Sequence, residues 1–294
     1  MRFSSMSPVA RGIVWALAAG LSFSIANAML RALTQSVNPL QAQFLRYLFG
    51  MIPVLPLLWR HGLRRLKPDS YSGQVWRSAL HTVGLMLWFF ALPHLPLADM
   101  TAIGFTNPLF VLLGASLWLN EPMSRARWLA VVAGFIGVLV IVGPGISGTG
   151  GWYNLAMLAA SPIFAASFLL TKLLSRRDSP AVIVFWQTLL VTLMSLPLAL
   201  PFWSTLTPMN WLQAIAGGMI GTVGHYCVTR SIVATDISAT QSAKFVDLLW
   251  AALIGWIVFS DPVRPSTFAG GAVIVAAIAM LARHESRNPP PVKA

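Results

Sequence analysis

Charge is what this sequence has least of. Only 10% of its 294 residues are Asp, Glu, Lys or Arg, where a soluble domain carries roughly 25%. Such a chain cannot cover a globular surface with polar groups, so lipid must meet much of it. Acid is scarcer still, with 8 Asp and Glu against 20 Lys and Arg. The single cysteine, Cys227, excludes a disulfide framework. No Cys/His cluster has metal-ligand spacing, so no metal is expected. Long polar stretches are also missing, which leaves no room for a soluble domain. The exception is 283–294, whose Pro289, Pro290 and Pro291 read as a disordered cytoplasmic tail.

What is present is apolar sequence: 56% hydrophobic residues and a mean hydropathy of +0.72. A helix needs about 20 mainly apolar residues to cross a bilayer. Ten stretches reach this: 12–30, 41–59, 75–93, 98–119, 127–143, 152–171, 181–199, 210–229, 237–258 and 266–282. Turn chemistry separates them, as at Asn38-Pro39, Lys67-Pro68-Asp69, Ser179-Pro180 and Asp261-Pro262. With a cytoplasmic N-terminus, all but four of the 20 Lys and Arg fall in inner segments, Arg60, Arg64, Arg65, Lys67 and Arg77 among them. Arg31 and Arg264 are outside, while Arg46 and Lys244 lie within helices. This asymmetry orients a membrane protein, and it removes nucleic acid as the reason for the net charge of +12. Arg2, Arg11 and Ala26-Asn27-Ala28 imitate a signal peptide around the first run.

An internal repeat argues that the first helix is kept. Phe23, Arg31 and Pro39 match Phe164, Lys172 and Pro180 at an offset of 141. Ala98-Asp99 matches Thr235-Asp236, and Gly84 matches Gly221, at an offset of 137. Both halves reach an acid-proline turn, Glu121-Pro122 and Asp261-Pro262. Five helices per copy put the copies in opposite orientations, a plan that holds solute near the midplane. The expected fold is therefore an all-α membrane protein of ten transmembrane helices in two inverted repeats, 12–143 and 152–282.

The segments Ala98-Asp99-Met100-Thr101-Ala102, Asn107-Pro108-Leu109-Phe110 and Leu119-Asn120-Glu121-Pro122, followed by Gly134 and Gly137, resemble the EamA domain of the drug/metabolite transporter superfamily. The second copy departs from the pattern, with Lys244-Phe245-Val246-Asp247 in place of the Asn-Pro region and Asp261 in place of Glu. The resemblance implies a carrier of the cell inner membrane with cytoplasmic termini, alternating access and no bound cofactor. Its implied solutes include amino acids, S-adenosylmethionine and riboflavin.

Ionisable groups inside membrane helices are costly and so are candidates for function. Lys244 and Asp247 share a face of the ninth helix. They form either a salt bridge that locks packing, a site for a zwitterion, or a proton-coupled switch. At 1.5 Å per residue, Lys244 lies about 11 Å, His81 about 9 Å and His225 about 6 Å from the inner helix ends. They form a polar constellation or, individually, ordinary interhelical hydrogen bonds. Trp88 and Tyr226 share helices with the histidines and could stack on a solute. Asn107-Pro108 breaks the fourth helix, as proline must, where a cavity would tolerate it. Arg46, about 7 Å below the outer face, is expected to snorkel or to serve as gate or anion anchor. Asp99 and Asp236, near helix N-termini, complement the dipole and are gating candidates.

These readings converge on a non-enzymatic secondary transporter for a small amino-acid-like or amphipathic metabolite, a monomer or homodimer in the bilayer. The alternatives are an uptake carrier for S-adenosylmethionine or riboflavin, and a structural membrane protein without transport. A membrane enzyme would need a clustered catalytic set and long loops, and the sequence has neither.

Overall fold

The computed structural model describes residues 8–56, 66–107, 109–111, 113–114, 124–146, 151–234, 245–262 and 264–287. Ten α-helices occur among them. In chain order they are α1 (Pro8–Thr34), α2 (Pro39–Gly50), α3 (Tyr71–Ala91), α4 (Leu97–Gly104), α5 (Arg125–Ile146), α6 (Gly151–Leu174), α7 (Pro180–Ala199), α8 (Pro208–Ala234), α9 (Phe245–Phe259) and α10 (Pro265–Arg287). The described residues contain no strand.

Several boundaries follow from local chemistry. The side chain of Asn38 accepts from the Leu40 N–H ahead of α2, whose first residue is Pro39. Ser70 caps α3 by accepting from Gly73 N–H. Ser179 caps α7, with Pro180 at its start. Each side chain satisfies a backbone donor that the first helical turn leaves orphaned. α4 stops at Gly104, and Phe105 and Thr106 form a turn. Helical hydrogen bonding restarts from the Thr106 carbonyl, which accepts from Leu109 N–H at 2.9 Å. The expected break in the fourth helix thus falls just before Asn107. Pro108 lies outside the described residues.

The distribution of polarity is inverted relative to a soluble protein. Gln41, Gln43, Gln74, Ser78 and Thr106 are fully buried, while Trp152 is 78% and Leu129 71% exposed. An apolar exterior of this extent needs lipid to cover it. Three helices, Ala10–Thr34, Gly151–Leu174 and Pro180–Phe202, are long and apolar enough to cross a membrane. Trp128–Ile141, Val246–Phe259 and Pro265–Leu281 are apolar but shorter. Among the rest, α3 carries Gln74, Arg77, Ser78, His81 and Thr82, side chains that the packing turns inward.

The most extensive pairings are α1 with α8, α5 with α10 and α3 with α6. α2 packs against α7 and α8, α3 against α7, and α9 against α1 and α4. Glycine permits the closest of these approaches. A Cβ on Gly270 would stand 2.4 Å from the Gly137 carbonyl oxygen, and one on Gly137 would stand 2.7 Å from that of Gly270. The backbones of α5 and α10 therefore touch directly, as small residues allow between membrane helices.

Candidate functional site

α2, α3 and α8 converge on one hydroxyl. Tyr47 Oη lies 2.9 Å from His81 Nε2 and 3.3 Å from His225 Nε2. A phenol carries one proton, so it donates to one imidazole and accepts from the N–H of the other. The two imidazoles meet edge to face at 5.4 Å between centroids. Each also meets a phenylalanine: His81 meets Phe164 at 5.2 Å, and His225 meets Phe23 at 5.1 Å. Glycines make room for those rings. Added Cβ atoms on Gly84 and Gly224 would lie 2.8 Å from Phe164 and 2.9 Å from Phe23.

Two arginines flank this centre. The Arg46 guanidinium lies over the Tyr47 ring, 4.4 Å from its centroid, and is seated where Gly221 lacks a side chain. Arg46 is only 5% exposed, so it does not snorkel to the interface. Its stem turns into the bundle because Gly221 and the Tyr47 face offer a cationic head a surface there. Arg77, counted from the sequence only among the inner-side charges, is also buried. It donates to Thr171 Oγ1, to the Ile183 carbonyl and to Gln187 Oε1. Within the described residues the ion pairs are Arg31–Asp261, Arg177–Asp69 and Arg264–Asp99, so neither site arginine is in a salt bridge. Buried guanidiniums held by neutral acceptors are expensive and mark the site as electropositive.

Three buried polar atoms at this centre lack a hydrogen-bond partner: Arg46 Nη1, Gln187 Nε2 and Gln43 Oε1. The other end of the Gln43 amide donates to Ser195 Oγ at 3.0 Å. Buried polar groups are normally paired, which makes these three the atoms most open to a solute.

Not every sequence candidate joins this centre. Asp247 lies against α1, its Oδ1 1.7 Å from where a Cβ on Gly20 would stand. Lys244 and Asp236 lie outside the described residues. The Trp88 ring meets Phe89 at 5.0 Å, and the Tyr226 ring meets Trp15 at 6.2 Å. Neither has a ring contact with the histidines; Phe164 and Phe23 occupy that role. Asn107 sits just past the break in α4. Tyr47, Arg77, Gln43 and Gln187 were not read as site residues from sequence. The available signal was polarity inside apolar runs, as for Gln187 within 181–199.

Asp99 belongs to a second cluster, where α1 and α9 end and α4 and α10 begin. Asp261 Oδ2 accepts from buried Arg31 and from Leu97 N–H, the latter at 3.2 Å. Asp99 accepts from Thr267 Oγ1, and from Arg264 Nη1 at 3.3 Å. The Arg31 guanidinium also lies 4.4 Å from the Phe259 ring centroid. At the opposite end, Asp178 accepts from Asp69 N–H and Gln74 Nε2, both at 2.8 Å.

Known proteins share this fold. A solved crystal structure matches with TM-score 0.68 at 18% identity, covering 95% of this chain and 99% of its own, which establishes a common fold. Among curated proteins, a riboflavin transporter of Vibrio cholerae is 30% identical, with 95% of each chain covered. An S-adenosylmethionine uptake transporter of Rickettsia felis is 27% identical, covering 94% of this chain and 97% of its own. The pseudopaline exporter CntI of Pseudomonas aeruginosa is 26% identical, covering 92% and 96%. These names are those of transporters rather than enzymes. The model of the EamA-like transporter family matches residues 10–143 and again 151–283. The chain accordingly belongs to the EamA-like transporter family and is a multi-pass helical membrane protein.

Proposed function

We propose that this protein is a secondary carrier of the cytoplasmic membrane that imports riboflavin or a closely similar flat solute by alternating access. In this reading all ten helices span, both termini are cytoplasmic, and the two halves are inverted copies. The helix pairing supports the duplication. Exchanging each helix for the one five places away turns α1–α8 into α6–α3 and α2–α8 into α7–α3, while α5–α10, α2–α7 and α4–α9 map onto themselves. Phe23 beside Gly224 and His225 resembles in space, without sharing the repeat register, Phe164 beside Gly84 and His81.

The observation that carries the reading is the Tyr47 hydroxyl bonded to one histidine from each half. Inverted-repeat carriers hold their solute between the two halves, and a centre with one histidine from each half fits that plan. Aromatic rings and buried donors around it suit a planar solute edged with carbonyl and imine acceptors, which describes the isoalloxazine of riboflavin. The Arg31–Asp261 and Asp99–Arg264 cluster would then close the outer end. By the repeat its counterpart at the inner end would be Lys172 with Glu121, which lies outside the described residues. Lys172 is exposed while Arg31 is buried, the asymmetry expected of a state closed only at the outer end.

An amino-acid-like zwitterion bound at Lys244 and Asp247 is the second reading, favoured by the inward position of Asp247 against α1. Uptake of labelled riboflavin, S-adenosylmethionine and amino acids into proteoliposomes, with and without a pH gradient, separates the two. Riboflavin entry supports the first reading, and amino-acid movement without riboflavin entry removes it. Dependence on the gradient would make the carrier proton-coupled.

A further inference from the structure

Arg46 and Gln187 stand 141 positions apart in the sequence, the same offset that relates Phe23 to Phe164. They are therefore equivalent positions of the two halves, on α2 and α7, helices that pack against one another. Both side chains lie within interaction distance of the Tyr47 hydroxyl. Both are buried, and each presents an N–H donor without a partner, Arg46 Nη1 and Gln187 Nε2.

The orientation of the Gln187 amide is fixed from behind. Arg77 has only N–H groups to offer, so its hydrogen bond fixes the carbonyl end of the amide toward Arg77. The NH2 end is left facing away. Arg77 is itself held by Thr171 and the Ile183 carbonyl, so it positions Gln187 without having to touch a solute.

We infer that Arg46 and Gln187 form a two-sided donor clamp that grips an electronegative edge of the transported solute and sets its charge class. The clamp takes neutral solutes with acceptor edges, or anionic ones, and rejects cations. Its two donors come one from each half, so the edge they grip is shared across the interface along which the halves would rock. The inference rests on the reading of the Tyr47 centre as the solute site, but it is independent of riboflavin being the solute. Two positive charges nearby, with no carboxylate among the described residues in a salt bridge to either, disfavour a sulfonium or ammonium group.

The test uses purified full-length protein in detergent, with binding followed by its intrinsic tryptophan fluorescence. Three probes differ in charge: riboflavin (neutral), riboflavin 5′-phosphate (anionic) and S-adenosylmethionine (cationic at its sulfur). The decisive variant is Gln187→Glu. It keeps the side-chain shape and the acceptor for Arg77, but replaces the free donor with an acceptor. Arg46→Gln removes the guanidinium. Arg46→Gln loses a charged donor, and Gln187→Glu loses a neutral donor and sets a carboxylate against the acceptor edge, so each should weaken binding of the neutral or anionic probe about tenfold or more. Gln187→Glu should in addition bind S-adenosylmethionine measurably better than wild type does. A purely structural role predicts no such inversion of preference. Phosphate-ester binding that depends on Arg46, without riboflavin binding, would remove the riboflavin reading and leave the clamp standing. The clamp is overturned if S-adenosylmethionine binds wild type as well as the flavins do, if none of the three binds, or if both variants bind as wild type.

Discussion

Replacing Asp261 by Asn removes one charge from the cluster assigned to the outer end and should loosen that end selectively. Asp261 Oδ2 accepts from Arg31 Nη1 and from Leu97 N–H. Asn can still accept from Leu97, so the perturbation is mainly electrostatic. Arg31 would remain against Phe259 without its counter-charge. Removing one partner of a buried pair costs roughly 3–5 kcal/mol. The side chains here are 11% and 10% exposed, so some water reaches them and about 3 kcal/mol is the appropriate figure. If the pair exists only while the outer end is closed, the closed-to-open ratio falls by about a hundredfold. Accessibility can be read at Ala98, which lines a small cavity together with Asp261 and Gly255. In a Cys227→Ser background, Ala98→Cys would be labelled with a membrane-impermeant maleimide in right-side-out vesicles. The expected result is a tenfold to hundredfold faster initial rate after Asp261→Asn. An unchanged rate in protein that still runs as a single gel-filtration species would refute the assignment of this cluster as a gate.

Three further outcomes follow from the packing. Gly20→Ala puts a methyl group on Asp247 Oδ1, so α1 and α9 must part or Asp247 must rotate; overpacking of about 1–3 kcal/mol should lower the thermal midpoint by several degrees, and an unshifted midpoint contradicts the close approach. Asp178→Ala leaves Asp69 N–H and Gln74 Nε2 unpaired and should cost about 2–3 kcal/mol. Asp69→Ala loses mainly an exposed ion pair with Arg177 and should cost about 0.5 kcal/mol or less; comparable denaturation midpoints for the two variants would be inconsistent with this ranking. Tyr47→Phe removes the bridge between His81 and His225 and should reduce solute flux about tenfold or more with the fold kept. Wild-type flux in that variant would exclude the hydroxyl from the mechanism.

Much of the architecture was legible because lipid imposes a strong rule. Every span must be apolar and every basic loop biased to one side, so counting runs and charges recovers an all-helical membrane chain. Phe23 and Phe164, paired in the sequence by an offset of 141, stand beside His225 and His81. The interior was harder to read. Arg77 was counted only among the inner-side charges, at the start of 75–93, yet Thr171, Gln187 and the Ile183 carbonyl draw it inside. For Arg46 the sequence left snorkelling open beside a gate or anion anchor, because periodicity cannot reveal that Gly221, far along the chain, leaves space for its head. Trp88 and Tyr226 were chosen for sharing helices with the histidines, but Trp88 stands about two turns along α3 from His81 and meets Phe89, and Tyr226, rotated one position round α8 from His225, meets Trp15. Gln187 stands out in the sequence only as a polar residue inside the apolar run 181–199, and Tyr47 less still, since their importance lies in which helices meet.

The central claim is that the two halves clasp a flat, uncharged or anionic solute at Tyr47, and riboflavin counterflow tests it most directly. Proteoliposomes preloaded with unlabelled riboflavin should accumulate labelled riboflavin transiently with wild-type protein and fail to do so with Tyr47→Phe. Equal accumulation by protein-free vesicles, or full counterflow by Tyr47→Phe, would contradict the account.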